Sequence, residues 1–447
     1  LRCSGTRLTG RIAGHYKHDR GDFERSDGVP TVSSGNLVIP ANIQPFLWQD
    51  DLDRSDFILA TYRVRATCSG ENAALGMAME QSASTLNIRG YVDADMVKDW
   101  SIRVRRVTEV GGDAVDGVVE PFFLSTEVYA VADRHRSRCY DIELAVPHWL
   151  LGSKPVQLLN VLVGELPRLG FLTSFRLTDV TFPSAFGPGP AFGRRGILDL
   201  LGQVSGPLLC RAMRPGVGLD TPTMRALNRD VLVAGFHMVK DDELIQFHDL
   251  AAFEHHLRAM LSARNEAMDA SGERKLYIAN LFCEPGELQE RWDLACALGV
   301  DGVLVAPFIQ GLGVLPWLAR QKQMPIIAHN SFGDFLTRNR HWGIDETVLC
   351  RWVRHLGGDW FVTPGTFAAD GFDTAACRRL MEVATGDEHG LPGMMPNIQG
   401  GKHPGGLPTY RAAVGDSDFT LIVANWVDSH ASGLKAAARE FREALSN

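Results

Sequence analysis

Nowhere in the chain do about 20 apolar residues run without interruption, so no membrane-spanning helix is expected. No CxxC pair occurs. The eight cysteines (Cys3, Cys68, Cys139, Cys210, Cys283, Cys296, Cys350 and Cys377) are scattered, which fits reduced thiols and gives no zinc signature. No extended basic run is present and the formal net charge is -8, so nucleic acid and anionic membrane are not expected partners. Residues 1–36 lack the apolar region of a secretory signal. They are polar and rich in Arg, Asp, Ser and Gly, which predicts a flexible extension, taken here to residue 45. These absences together predict a cytoplasmic protein.

What is present is an ordinary globular composition, 45% hydrophobic and 22% charged, over 447 residues. That length suits a large barrel plus a smaller unit. Between about 55 and 180 the pattern is mixed. Segments 57–65, 100–107 and 138–144 read as strands and 72–83 as a helix, while 156–166 could begin either kind of element. A small α+β sandwich is the expected result. The stretch 182–196 (FPSAFGPGPAFGRRG) is dense in Gly and Pro. A phosphate cradle would need a strand, a loop and a P-loop lysine, which are missing, so it reads as an inter-domain linker.

Beyond it, eight short apolar runs alternate with helix-length amphipathic segments: 207–213, 230–239, 275–280, 302–306, 325–328, 360–362, 393–397 and 420–424. This is the rhythm of a (β/α)8 barrel, whose chemistry sits just after the C-terminal ends of its strands. The second run ends directly in Lys240, Asp241, Asp242 and Glu243. Elsewhere such a run would read as a solvated charged face. At a strand mouth, two carboxylates offer hard oxygen ligands for Mg2+. A lysine beside them suits a cation only if its neutral amine adds CO2 and becomes an anionic carbamate.

With its neighbours this run resembles a known family. GPLLCRAMRPGVGLDT (206–221) followed by GFHMVKDDE (235–243) resembles the RuBisCO large subunit and its relatives. RCYDIE (138–143), LTDVTFP (177–183), YIAN (277–280), IIAH (326–329), GGD (357–359) and QGG (399–401) follow in family order, over about residues 55–440. The resemblance implies an α/β protein. An N-terminal α+β, ferredoxin-like domain (46–183) would precede a C-terminal (β/α)8 TIM barrel (184–447). It implies Mg2+ held by Lys240, Asp242 and Glu243, with CO2 on Lys240 as the carbamate, and makes Asp241 a non-ligand. Lys240, His329 and Arg214 become candidate catalytic residues. Asn280, Gly400, Gly401, Glu80 and Thr85 become candidates for substrate binding. It also implies a homodimer, in which the partner's N-terminal domain, carrying Glu80 and Thr85, covers the barrel mouth. By residue type alone, His329 could be a satisfied rim histidine, Asn280 a cap, the glycines a plain turn and Glu80 surface polarity.

The departures from the family bear on function. Arg214 replaces a proton-shuttling lysine; arginine stays charged, yet can hold an oxyanion. Gly216 replaces a second lysine, and the sixth-strand loop VTPGTFAADGFD (362–373) has none. Asn330 replaces a phosphate-binding arginine, Val362 a histidine and Glu165 an asparagine, while ANWVDSH (424–430) replaces a glycine-rich phosphate loop. Trp426, Phe367 and Phe372 could admit a more apolar substrate, though packing explains them as well. The expectation is a RuBisCO-like protein. It would carry out Mg2+-dependent enolisation of a phosphorylated keto-sugar or sugar-acid derivative, as an isomerase, tautomerase or decarboxylase, without efficient CO2 fixation. The alternatives are a true carboxylase with unusual loops and a non-catalytic metabolite-binding barrel.

Overall fold

The computed structural model describes residues 43–82, 94–111, 137–152, 154–184, 186–362, 374–415 and 418–446. Most of the expected 1–45 extension, Thr85, Phe367 and Phe372 therefore lie outside the described residues.

The N-terminal sheet starts with β1 (Phe57–Ala66), whose Ile58, Ala60, Tyr62 and Val64 are buried on one face. Ser69 then caps a helix, Gly70–Glu80, by accepting from the Asn72 backbone N–H at 3.3 Å. β2 (Arg103–Val110), β3 (Arg138–Pro147) and β4 (Leu172–Thr181) follow. They pair antiparallel in the order β4-β1-β3-β2, the ferredoxin-like arrangement. Segment 156–166 resolves as helical turns, Gln157–Leu159 and Asn160–Gly164. The strand expected at 100 begins instead at Arg103, because Trp100 ends the helix Ala94–Trp100.

The barrel comprises β5 (Leu208–Ala212), β6 (Met238–Lys240), β7 (Leu276–Asn280), β8 (Gly302–Val305) and β9 (Ile326–Ala328). After β10 (Trp342–Ile344) come β11 (Trp360–Val362), β12 (Met395–Ile398) and β13 (Thr420–Val423). Eight of these strands, all but β10, close in parallel. Strand parity sorts the side chains. Leu208, Cys210, Met238, Ile278, Leu304 and Ile422 share the inner cluster, whereas Leu209, Val239, Tyr277, Val303 and Leu421 belong to the larger core. Ile197, Leu198 and Leu201, from the helix Gly193–Leu201 after the Gly/Pro-rich stretch, join the inner cluster and plug the end away from the mouth. Asp359 fastens that stretch, accepting from the N–H groups of Phe192 (2.8 Å), Gly193 (2.7 Å) and Ile326 (2.9 Å).

One expectation needs correction, and one strand pairing was not foreseen. The run at 230–239 is not one strand: residues 230–233 complete the helix Thr221–Val233, started by Asp220 accepting from Thr223 N–H, and only Met238–Lys240 is strand. And β10, a barrel-side segment, pairs parallel with β4 and becomes the fifth strand of the N-terminal sheet.

Candidate active site

Parity places Lys240. Two residues after the inward Met238, it ends β6 with a side chain 2% exposed. Its Nζ donates to the Asp241 carbonyl at 3.1 Å and lies 3.7 Å from Glu243 Oε2. The next residues turn at once, with the Leu244 N–H donating to Asp242 Oδ1 at 3.1 Å. Asp242 and Glu243 are thereby held at the barrel mouth.

Asp241 faces away from them into a buried clasp. Its Oδ2 accepts from the Tyr277 hydroxyl (2.6 Å) and the Asn280 N–H (3.1 Å), and its Oδ1 lies 3.1 Å from His256 Nε2. Sequence reading assigned Asp241 no ligand role and did not foresee this network. Asn280 is likewise occupied: its Nδ2 donates to the Ile245 carbonyl at 2.9 Å, and its Oδ1 accepts from the Phe282 N–H at 3.0 Å. It braces the acidic loop.

Arg214 lays its guanidinium against both carboxylates. Nε is 2.8 Å from Asp242 Oδ2 and Nη2 is 3.6 Å from Glu243 Oε1. The loop comes this close because position 216 is glycine, where a Cβ would collide with the Asp242 carboxylate. Burial, followed by the Glu243 charge, raises the Asp242 pKa. Burial also pushes Glu243 upward, but His329, Lys240 and Arg214 outweigh it and leave the carboxyl below its usual range.

His329 follows β9, with Nε2 3.3 Å from Glu243 Oε2. Burial and Lys240 lower its pKa to about 4, so the ring is neutral at pH 7. Nδ1 accepts from the Ser331 N–H at 3.2 Å, which puts the ring proton on Nε2, facing the acidic pair.

A cavity of about 440 Å3 connects Arg214, Glu243, His329, Asn330, Gly400, Gly401, Lys402 and Trp426. Gly400 and Gly401 have φ of +77° and +57°, a left-handed pair that favours glycine. Lys402 was missed by sequence reading, although its place after two glycines at a strand end was a signal. It is 2% exposed and donates through Nζ to the Gly400 carbonyl at 2.7 Å. Behind the wall, the buried Arg211 donates through Nε and Nη2 to Asp428 Oδ1, at 3.0 and 2.8 Å. Glu80 is elsewhere, on the helix Gly70–Glu80, paired with Arg168 at 3.0 Å.

The donor set suits a hard cation. Asp242 Oδ2 and Glu243 Oε2 are buried and meet ion-pair contacts, from Arg214 at 2.8 Å and from His329 at 3.3 Å, rather than hydrogen bonds of good geometry. Their cationic neighbours are Arg214 and Lys240. Among the described residues no three His, Cys, Asp or Glu side chains converge in a metal-binding arrangement. The protein groups nearest a cation here are the carboxylates of Asp242 and Glu243, with Lys240 beside them. Among the described residues no helix is long and apolar enough to cross a membrane.

Comparison with known proteins agrees with this architecture. The family model for the ribulose bisphosphate carboxylase large chain, catalytic domain, matches residues 194–447. A 2,3-diketo-5-methylthiopentyl-1-phosphate enolase from Bacillus velezensis is 26% identical over 392 residues, covering 86% of this chain and 91% of the relative. A ribulose bisphosphate carboxylase-like protein from Chlorobaculum tepidum is 26% identical over 408 residues, covering 89% and 90%. The crystal structure of octameric ribulose-1,5-bisphosphate carboxylase/oxygenase from Pyrococcus horikoshii superposes with a TM-score of 0.77 at 22% identity, over 90% of this chain and 91% of that one.

Proposed function

Because this chain belongs to the RuBisCO large-chain family, we propose that it is a Mg2+-dependent RuBisCO-like enzyme. In this reading it enolises a phosphorylated keto-sugar or sugar-acid derivative and does not fix CO2 efficiently. The observation that carries the reading is the convergence of Lys240, Asp242, Glu243 and a neutral His329 beside a glycine turn at the mouth of a closed barrel. Mg2+, held by Asp242, Glu243 and carbamylated Lys240, would supply Lewis-acid polarisation of the substrate carbonyl.

The protein's own groups do the rest. The His329 Nε2–H donates to a substrate oxygen. Gly400 and Gly401 cradle a phosphate through their N–H groups. Arg214, which lies against the carboxylates at the cavity wall, would pair with an anionic group of the substrate. The enolase from Bacillus velezensis acts on a diketone with one phosphate, and a substrate of that class fits a cavity with one glycine cradle. Exposed apolar side chains on the segments that follow barrel strands (Val217, Leu244, Ile309, Phe332 and Phe335), together with the place of Glu80 outside the lining of its own cavity, support a homodimer with shared sites.

Fixation needs a cation over the reacting carbon, and the sixth-strand loop from Val362 to Asp373 contains no lysine or arginine. Loss of one such electrostatic contact costs ~10²–10³ in rate. The test uses protein with Mg2+ and bicarbonate in deuterated water. A single-phosphate ketose should take up deuterium, and ribulose bisphosphate with labelled bicarbonate should yield no acid-stable label. Fixation near the rate of ordinary carboxylases, or no exchange with any keto-sugar phosphate, would sink the reading.

A further inference from the structure

The clasp around Asp241 is built more heavily than the end of a strand requires. Taking a carboxylate fully out of water is costly, and an apolar residue at this place would avoid that cost. Asp241 is nevertheless 0% exposed, and its partners Tyr277 and His256 are 0% and 1% exposed. Its two chain neighbours, Lys240 and Asp242, point the other way, toward the mouth. One peptide unit therefore separates the clasp from each of two proposed metal ligands. The Asp241 backbone is already engaged: its N–H donates to the Ile278 carbonyl at 3.0 Å, and its carbonyl accepts from Lys240 Nζ. β6 and β7 pair no further than Lys240 and Ile278, and the Asp241 carboxylate takes the next rung from the Asn280 N–H. Asn280 Nδ2 closes the far end of the turn on the Ile245 carbonyl. His256 comes from the helix Leu250–Ser271, and its ring lies against Phe247 with centroids 5.0 Å apart. Nδ1 has no hydrogen-bond partner among the described residues, which leaves the contact with Asp241 as the polar role of the ring.

We infer that Tyr277 and His256 are positioning residues: acting through Asp241, they fix the turn so that Lys240 and the Asp242 and Glu243 carboxylates face one divalent cation. Loss of either donor leaves one side of the Asp241 carboxylate unheld, and the peptides to Lys240 and Asp242 turn with it. Groups that orient metal-binding side chains from behind commonly set metal affinity by about 10- to 100-fold. The inference rests on the proposed cation-binding reading of the site, but it can be tested without turnover.

The probe is Mn2+, a stand-in for Mg2+ that electron paramagnetic resonance detects. It is titrated into the full chain with bicarbonate, and urea midpoints are measured on the same proteins. Tyr277→Phe keeps the buried ring and deletes the hydroxyl. His256→Leu deletes the ring donor, whereas His256→Gln keeps an N–H donor in its place. Each deletion should weaken Mn2+ binding about tenfold, and His256→Gln should stay within about twofold of the parent. A role in the fold alone would lower the urea midpoints and leave the Mn2+ affinity unchanged. That result overturns the inference and leaves the cation reading standing. So does an equal loss of affinity in the two His256 variants. A deletion variant without a cooperative urea transition overturns it as well, since the clasp then holds the fold rather than the turn. If the parent binds no Mn2+, the cation reading falls and takes this inference with it.

Discussion

Asp428→Asn tests how the loop carrying Arg214 is supported. Arg211 has a side chain 1% exposed, and its short charged contacts both go to Asp428 Oδ1. Its remaining contacts, to Asn228 Oδ1, Met213 Sδ and the Arg214 carbonyl, are 3.4 to 3.5 Å long. Removing the negative charge leaves a guanidinium buried without compensation, which typically costs 3–5 kcal/mol. Two features argue for the low end. The Asp428 side chain is 25% exposed, so water can reach the site. Burial also raises its carboxyl pKa, with Arg211 offsetting only part of the rise, so some of the pair's Coulomb energy is already spent on desolvation. A loss of about 3 kcal/mol is expected. With 447 residues and an unfolding entropy of roughly 2.1 cal/mol/K per residue, the melting temperature should fall by about 3 °C. Urea titration and scanning calorimetry measure both. The control is Arg211→Met with Asp428→Leu. An apolar replacement of a buried pair is often neutral, so the double variant should recover most of the loss. Asp428→Asn within 0.5 kcal/mol of the parent, or a double variant as unstable as the single one, would refute the reasoning.

Bicarbonate should raise the affinity for Mg2+ in the parent and have no effect in Lys240→Met; equal Mg2+ binding by both proteins removes the carbamate from the account. Glu346 has a pKa pushed up to about 9 by burial and by Asp345 and Asp334, and its Oε1 has no hydrogen-bond partner among the described residues. The native state therefore holds a proton that the unfolded chain gives up near pH 4.5. Stability should decline as pH rises from there toward 9, at up to about 1.4 kcal/mol per unit. Glu346→Gln should flatten that part of a urea-midpoint profile, and an unchanged slope in the variant would remove Glu346 as its source. Sedimentation should give a dimer or a multiple of it; a fully active monomer at working concentration contradicts shared sites.

The barrel was legible because parallel strands covered on both faces become short continuous apolar runs, and because turn residues separate these from the helices. The acidic cluster was legible because four consecutive charges directly follow such a run. At 230–239 the same logic failed: the apolar face of a helix end merged with the strand after it. β10 could not be read, since three residues carry no periodicity and its partner residues on β4 lie 167 positions earlier (342 against 175). The placement of Arg214 against Asp242 depends on a glycine approach visible only in three dimensions. The Asp241, Tyr277 and His256 clasp likewise joins a strand end, a neighbouring strand and a helix.

β10 also works as a mechanical link. The segment from His329 to Ile344 is anchored at one end in the barrel, through β9, and at the other in the N-terminal sheet. There Arg176 Nη1 donates to the carbonyls of Thr337 (3.2 Å) and Asn339 (2.6 Å). A span tethered at both ends has little slack. Adding or deleting one residue between 331 and 341 must either slip the β10 register, which turns its side chains to the opposite face, or drag His329 away from Glu243. The N-terminal sheet and the histidine beside Glu243 are thus joined by one span held at both ends.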